Sequence, residues 1–204
     1  MATSKMKKIL ICGCDEVGRG SLVSDVYAAA CILDPSRPIA GLADSKKLTA
    51  RKRELLAGEI KQQALCWSIA LASLEEIEAL NIHYATLLAI KRAVEGLKVR
   101  PDKVLIDGIH KPDLTIHTET IIKGDDTIPE ISAASIIAKV ARDSTMLRYH
   151  ELYPEYGFDR HKGYFTKEHA AALKKYGPSP IHRKTYAPVK LLLNPEWSEQ
   201  LKMF

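Results

Sequence analysis

The sequence predicts an α/β fold built on an open sheet, and three patterns point there. Five apolar runs of strand length alternate with segments whose apolar residues recur at helical spacing. One strand–helix–strand succession suggests a crossover, which lays parallel strands side by side with their carboxyl ends together. Three of the strands run into acidic residues, and the carboxyl ends of strands are where an open α/β sheet places its ligand crevice.

The first strand, Ile9 to Cys12, leads into Asp15 and Glu16 and then into Gly18-Arg19-Gly20. Two adjacent carboxylates near an apolar core ask for a cation, because an unpaired buried charge costs several kcal/mol. Oxygen ligands without nearby His or Cys favour Mg²⁺ or Mn²⁺ over Zn²⁺. The glycines let a ligand approach the backbone, and Arg19 can meet a phosphate. The spacing is neither a dinucleotide fingerprint, since Val23 stands where a third glycine belongs, nor a P-loop.

Val26 to Leu33 reads as a second strand, antiparallel to the first. Thr49 is a plausible N-cap for a helix carrying Leu55, Leu56 and Ile60, and the basic residues around its start favour an anion. Ala64 to Ala72 is the third strand. Ser73 and Glu76 have capping-box spacing for a short acidic helix, and a longer helix runs from Asn81 to about Gly96. His83 and Tyr84 at its start read as surface or packing residues. The fourth strand, Val104 to Ile106, ends in Asp107-Gly108, which would make Asp107 a neighbour of Asp15. The fifth, Thr118 to Lys123, runs into Gly124, Asp125 and Asp126. Pro129 opens a long helix to about Tyr149, whose Ser132-Ala133-Ala134-Ser135 allows close packing. His161-Lys162-Gly163-Tyr164 reads as a polar, aromatic loop able to lie against nucleic acid. Thr166 caps a short helix ending before Gly177.

With 204 residues the chain suits one core, a single domain over 1–204 with a C-terminal helical segment. Hydrophobic residues at 46% and charged residues at 27% exclude a disordered or fibrous chain. A net charge of +5 suits a polyanionic partner. Cys12, Cys14, Cys31 and Cys66 lack metal spacing and read as reduced core residues. The basic start MATSKMKK precedes an apolar run that meets Asp15 too soon for a signal peptide, and no stretch is long enough to span a bilayer. A cytoplasmic monomer without a membrane partner is expected.

Taken together, GCDEVGRG, DSKKLT, LIDG, KGDD, SAASIIAKVARD, HKGY and IHRK closely resemble the ribonuclease HII family, the type 2 ribonucleases H of bacteria. The motifs keep the family's order from about Ile9 to Val189. The resemblance implies a ribonuclease H-like fold, a five-stranded mixed sheet flanked by helices, with an acidic quartet at Asp15, Glu16, Asp107 and Asp125. Asp125 is preferred to Asp126 because the family's carboxylate directly follows the glycine. The chain departs from the pattern at Val17, at Ser21, and at Val23-Ser24-Asp25, where a run containing proline and glycine is usual. An extra N-terminal domain of the ribonuclease HIII kind is not expected.

The implied activity is metal-dependent hydrolysis of RNA in RNA/DNA hybrids, and of the phosphodiester 5′ to a single ribonucleotide embedded in duplex DNA. It leaves 3′-hydroxyl and 5′-phosphate ends, as expected of DNA repair. Two Mg²⁺ or Mn²⁺ ions about 4 Å apart would serve it. By the same resemblance, backbone around Gly18, Arg19 and Gly20 reads the 2′-hydroxyl and Tyr164 packs on the next sugar. Ser45, Lys46, Lys139 and Arg183 are candidate phosphate contacts. A resolvase- or integrase-like DNA nuclease of the same fold, a small-molecule phosphatase and a non-enzymatic nucleic-acid-binding module are the rival readings.

Overall fold

The computed structural model describes residues 9–194; the basic start and the segment after Asn194 lie outside the described residues. Strands β1 (Ile11–Val17), β2 (Val26–Ile32), β3 (Cys66–Ala72), β4 (Lys103–Asp107) and β5 (Thr118–Ile121) form one sheet in the order β3-β2-β1-β4-β5. β2 is antiparallel to β1 and β3, whereas β1, β4 and β5 are parallel. The mixed sheet and the joined carboxyl ends are as the sequence predicts. The helices are α1 (Ala50–Gln63), α2 (Leu74–Glu95), α3 (Gly124–Thr127), α4 (Pro129–Leu152), α5 (Phe158–His161), α6 (Lys167–Tyr176) and α7 (Ala187–Leu193).

Side chains fix the helix starts where expected. Thr49, Ser73 and Thr166 each accept a backbone N–H of the first turn, and Glu76 completes the capping box. The acidic helix and its successor are halves of one kinked element, α2, broken at Asn81 with φ 66° and ψ 166°. The Asn81 carboxamide restarts the helix by accepting the N–H groups of His83 and Tyr84. Arg92 bridges the break with two 2.7 Å bonds to Glu76.

Three boundaries differ from expectation. β1 continues through Asp15 and Glu16, which pair with Ala29 and Ala28 of β2, because ladder hydrogen bonds are backbone bonds and the small partners leave room. β5 ends at Ile121, and Lys123 at φ 57° turns the chain into α3, so Asp125 and Asp126 sit on a helical turn. His161 ends the short helix α5 where a loop was expected.

The alternation of side chains along the strands sorts the core into two layers. Cys12, Cys14, Val26, Ala28, Ala30 and Ile32 pack under α2, while Ala29 and Cys31 pack under α1 and α4. All four cysteines are buried and unbridged. Gly13 is required where α4 crosses β1, since a Cβ there would lie 2.1 Å from the carbonyl carbon of Glu130. A third cluster joins Leu22 and Val23, after β1, to Met146, Phe158, Leu173 and Val189 of the C-terminal helices.

Candidate active site

The close approach at Gly13 sets the site, because α4 and β1 then advance together. Two strand residues span about 6.6 Å and four helical residues about 6 Å. Asp15, two beyond Gly13 and on the same face, therefore meets Ser135, which opposes the rise of the Asp15 carboxyl and donates its hydroxyl to that of Ser45 at 2.9 Å. Glu16 faces the other way, toward α2. Arg19 lies 3.6 Å from it.

Cys14 pairs with Ile106 in the β1–β4 register, so the next residue on each strand is an acid, Asp15 or Asp107. Asp107 Oδ1 accepts the Gly124 N–H at 2.7 Å and the Asp125 N–H at 3.4 Å. These bonds draw α3 against the end of β4. Asp125 is buried, with its carbonyl taking the Ser132 hydroxyl at 2.6 Å; Asp126 is exposed and paired with Lys47. The structure thus brings Asp15, Glu16, Asp107 and Asp125 to one end of the sheet.

Their electrostatics are those of crowded acids. Burial lifts the Asp15 carboxyl well above its ordinary range, and Glu16 and Asp107 push the same way. Burial also raises Glu16, against Arg19, and raises Asp125, where Asp107 adds to it and Lys46 opposes. Burial pulls the Lys46 ammonium down, but Asp44, Asp15, Asp125 and Asp107 outweigh it and hold Lys46 above its usual value. Lys46 Nζ stands 3.8 Å from Asp125 and its side chain is 78% exposed, so it is a resident but displaceable counter-ion.

The donor set is all oxygen, and a divalent cation would relieve its repulsion. Carboxylate oxygens without His or Cys are the donors that Mg²⁺ takes, together with several waters.

A cavity of about 270 Å³ opens on the acids and is lined by Asp15, Glu16, Ser45, Lys46, Lys139 and Tyr164. Lys139 is held by Asp143 at 2.8 Å and lies 5.7 Å above the Tyr164 ring. Burial lowers its ammonium, with Asp143 opposing. A second cavity, on the other side of Glu16 and Asp107, is walled by Arg19, His83 and His110, the two imidazoles edge to face at 4.6 Å.

Gly18 (φ 99°) could not carry a side chain, because a Cβ would lie 2.4 Å from Arg142 Nε. Arg19 and Gly20 are exposed. Of the positions that depart from the family's pattern, Ser21 and Asp25 are held by side-chain bonds and Ser24 by its backbone N–H, which donates to the Ile181 carbonyl at 2.8 Å. The Ser21 hydroxyl bonds to the Gly163 carbonyl, Asp25 caps the Leu74 N–H, and Ser24 takes the left-handed φ of 64° that a glycine would adopt freely.

One expected contact is corrected. Arg183 is fully buried, and it donates to the carbonyls of Ser24, Arg19 and Asp25 and to the Tyr186 hydroxyl. With these bonds it braces the Gly18–Gly20 loop and has no path to a phosphate. Arg53 of the basic α1 start likewise turns inward, to the Ser45 and Leu48 carbonyls. Arg142 gave no sequence signal beyond its place in SAASIIAKVARD, yet its buried guanidinium lies 5.3 Å over the Tyr164 ring and supports the loop from behind.

A mixed five-stranded sheet that brings acids from β1, β4 and α3 to one end, beside a wall of lysine and serine, defines a nuclease of the ribonuclease H class. Residues 12–189 match the family model described as Ribonuclease HII, and the chain belongs to that family. It is 67% identical over 196 residues to Ribonuclease HII of Desulforamulus reducens, covering 96% of this chain and 99% of that one. The Natranaerobius thermophilus protein of the same name is 60% identical, with 95% and 98% covered. The crystal structure of ribonuclease H2 from Pyrococcus horikoshii OT3 superposes with a TM-score of 0.78 at 23% identity, covering 94% of this chain and all of that one, and shares the fold. The protein is an endoribonuclease, a phosphodiester hydrolase of the ribonuclease H kind that acts on RNA/DNA hybrids.

Proposed function

We propose that the protein cuts on the 5′ side of single ribonucleotides embedded in duplex DNA as well as within hybrids, leaving 3′-hydroxyl and 5′-phosphate ends. Asp15, Glu16, Asp107 and Asp125 would hold two divalent ions, Mg²⁺ or Mn²⁺. Bound there, the ions supply Lewis-acid activation of water and neutralisation of charge on the phosphate. The observation that carries the reading is the convergence of four carboxylates, three of them raised and with one resident lysine, at the open end of the sheet.

The chain's own groups supply orientation. Backbone at Gly18–Gly20 would face the 2′-hydroxyl, and Tyr164, bridged to Ser21 next to that loop, would pack on the adjoining sugar. Lys46 would leave the acids for a phosphate as ions bind, and Lys139 would meet a neighbouring phosphate over the Tyr164 ring. Ser45, buried and accepting the Ser135 hydroxyl, would act through Ser135, the serine beside Asp15, rather than on a phosphate. The buried, unbridged thiols support a cytoplasmic setting, and one chain supplies every site residue, which supports a monomeric active unit. No helix among the described residues is long and apolar enough to cross a membrane.

The test is cleavage of a DNA duplex carrying one ribonucleotide, beside an all-DNA duplex and a full hybrid, with Mg²⁺, Mn²⁺ or EDTA. A metal-dependent cut 5′ to the ribonucleotide is expected. Cleavage of the all-DNA control at the same rate would place the activity with DNA nucleases of this fold. No cut in either metal would remove the reading.

A further inference from the structure

Behind Tyr164 stand three histidines that no step above uses, and their hydrogen bonds fix every proton. His182 Nδ1 takes the Ser179 N–H at 2.9 Å, with the Ser179 hydroxyl 2.7 Å away. That nitrogen is the acceptor, so the neutral ring carries its proton on Nε2. His182 Nε2 lies 3.1 Å from His169 Nε2, which must accept and leaves the His169 proton on Nδ1. From there it is donated to the Tyr164 carbonyl at 3.0 Å. His161 closes the other side: its Nδ1 accepts the Gly163 N–H at 3.2 Å, its Nε2 donates to the Tyr156 carbonyl at 2.8 Å, and its ring stacks on His169 with centroids 4.5 Å apart.

The chain of donors runs one way, from Ser179 through both rings to Tyr164. His169 and His182 are fully buried, and burial holds each at about 4, so both stay neutral near pH 7. Two apolar rings would fill this space at less desolvation cost but would aim no donor at the carbonyl. Both ends of the chain also touch the loop after β1, through the bridges Ser21–Tyr164 and Val23–His182.

We propose that His169 and His182 are positioning residues for ribonucleotide discrimination, their imidazole–imidazole hydrogen bond fixing the backbone of Tyr164 and with it the ring beside the acids. The inference rests on the reading of Tyr164 as a sugar-reading group. It separates the rings' role from general stability, because the His169 Nδ1 bond to the Tyr164 carbonyl is the link that a substitution at His169 can remove or restore.

The experiment measures kcat/KM on a duplex with one ribonucleotide and on a hybrid of matching sequence, and takes the ratio. His169→Gln keeps an acceptor for His182 but loses the donor to Tyr164. The ratio should fall by a factor of about three to ten, the worth of one neutral hydrogen bond. His169→Asn, whose amide replaces Nδ1–H but cuts the bond to His182, should recover only part of the ratio; full recovery would overturn the role of the His169–His182 bond. Tyr164→Ala with His169→Gln should lose no more than Tyr164→Ala alone. If Tyr164→Ala leaves the ratio unchanged, the underlying reading fails. If it collapses the ratio while His169→Gln slows both substrates equally, only the histidine proposal is overturned. Thermal melts set the assay temperature below unfolding; should His169→Gln not fold, His182→Asn, which keeps the Ser179 contact and cuts the link, is read by the same criterion.

Discussion

Asp107 accepts two backbone N–H groups with one carboxylate oxygen, and an amide oxygen can do the same. Asp107→Asn should therefore keep the fold and substrate binding but lose cleavage by more than the roughly 10- to 100-fold that follows loss of an outer-shell partner. Binding and single-turnover cleavage measured side by side check this; retained cleavage would remove Asp107 from the quartet. Asp15 gives the converse case. Its carboxyl is raised by burial and by Glu16, so the ionised form strains the metal-free protein near pH 7. Asp15→Asn should raise the melting temperature in EDTA while abolishing activity, with a gain of order 1 kcal/mol, or about 2–4 °C for a chain this size. An unchanged or lower melting temperature would show that its contacts with Ser135 and the Glu16 N–H outweigh the repulsion.

At the level of elements, the contact of α4 on β1 decides where the acids point. Gly13→Ala forces a Cβ into the Glu130 backbone and should destabilise by about 1–3 kcal/mol or more, read as a lower urea midpoint. A midpoint within error of the parent would mean that α4 slides freely, against the geometry. The helix starts were legible because Thr49, Ser73 and Thr166 are local signals. The ends of β1 and β5 were not: whether an acid continues a strand depends on the partner across the ladder, Ala29 for Asp15, and on the turn at Lys123. Burial of the His169–His182 pair adds a pH dependence. The unfolded chain binds a proton at each ring near 6.5, while the folded rings bind only near 4, so stability is full above pH 6.5 and is lost as pH falls toward 4. Urea midpoints at pH 7 and 4.5 should show a smaller loss in His182→Asn than in the parent; equal losses would place the acid sensitivity elsewhere.

Across the whole molecule, two bodies of structure meet at the site. The sheet with α3 presents the acids, and the segment from His161 to Tyr186 presses on the loop after β1 from outside, through Gly163, Ile181 and Arg183. On the proposed reading, substrate recognition by this face is electrostatic as well as shaped. With Lys46 and Lys139 as phosphate contacts, Lys46→Ala and Lys139→Ala should each weaken binding of catalytically silent protein to a hybrid. Each should also flatten the slope of log K against log salt by about one unit. An unchanged slope would leave that lysine bracing the site, as Arg183 does.

The sequence by itself determined the alternation of elements, the order of the motifs and the presence of carboxylates after three strands, because periodicity, capping and strand-end residues are local and write themselves into neighbouring residues; the choice of four acids came from the family resemblance. It could place Asp15 beside Asp107 through the crossover. Only the tertiary structure decided which basic groups face outward. Lys46 and Arg183 look alike along the chain, yet one is exposed beside Asp125 and the other is buried on carbonyls. The same holds for the histidines: His169 and His182 lie in separate segments, and packing alone joins them behind Tyr164. Burial and partner choice depend on contacts distant in sequence, so those roles exist only once the chain has folded.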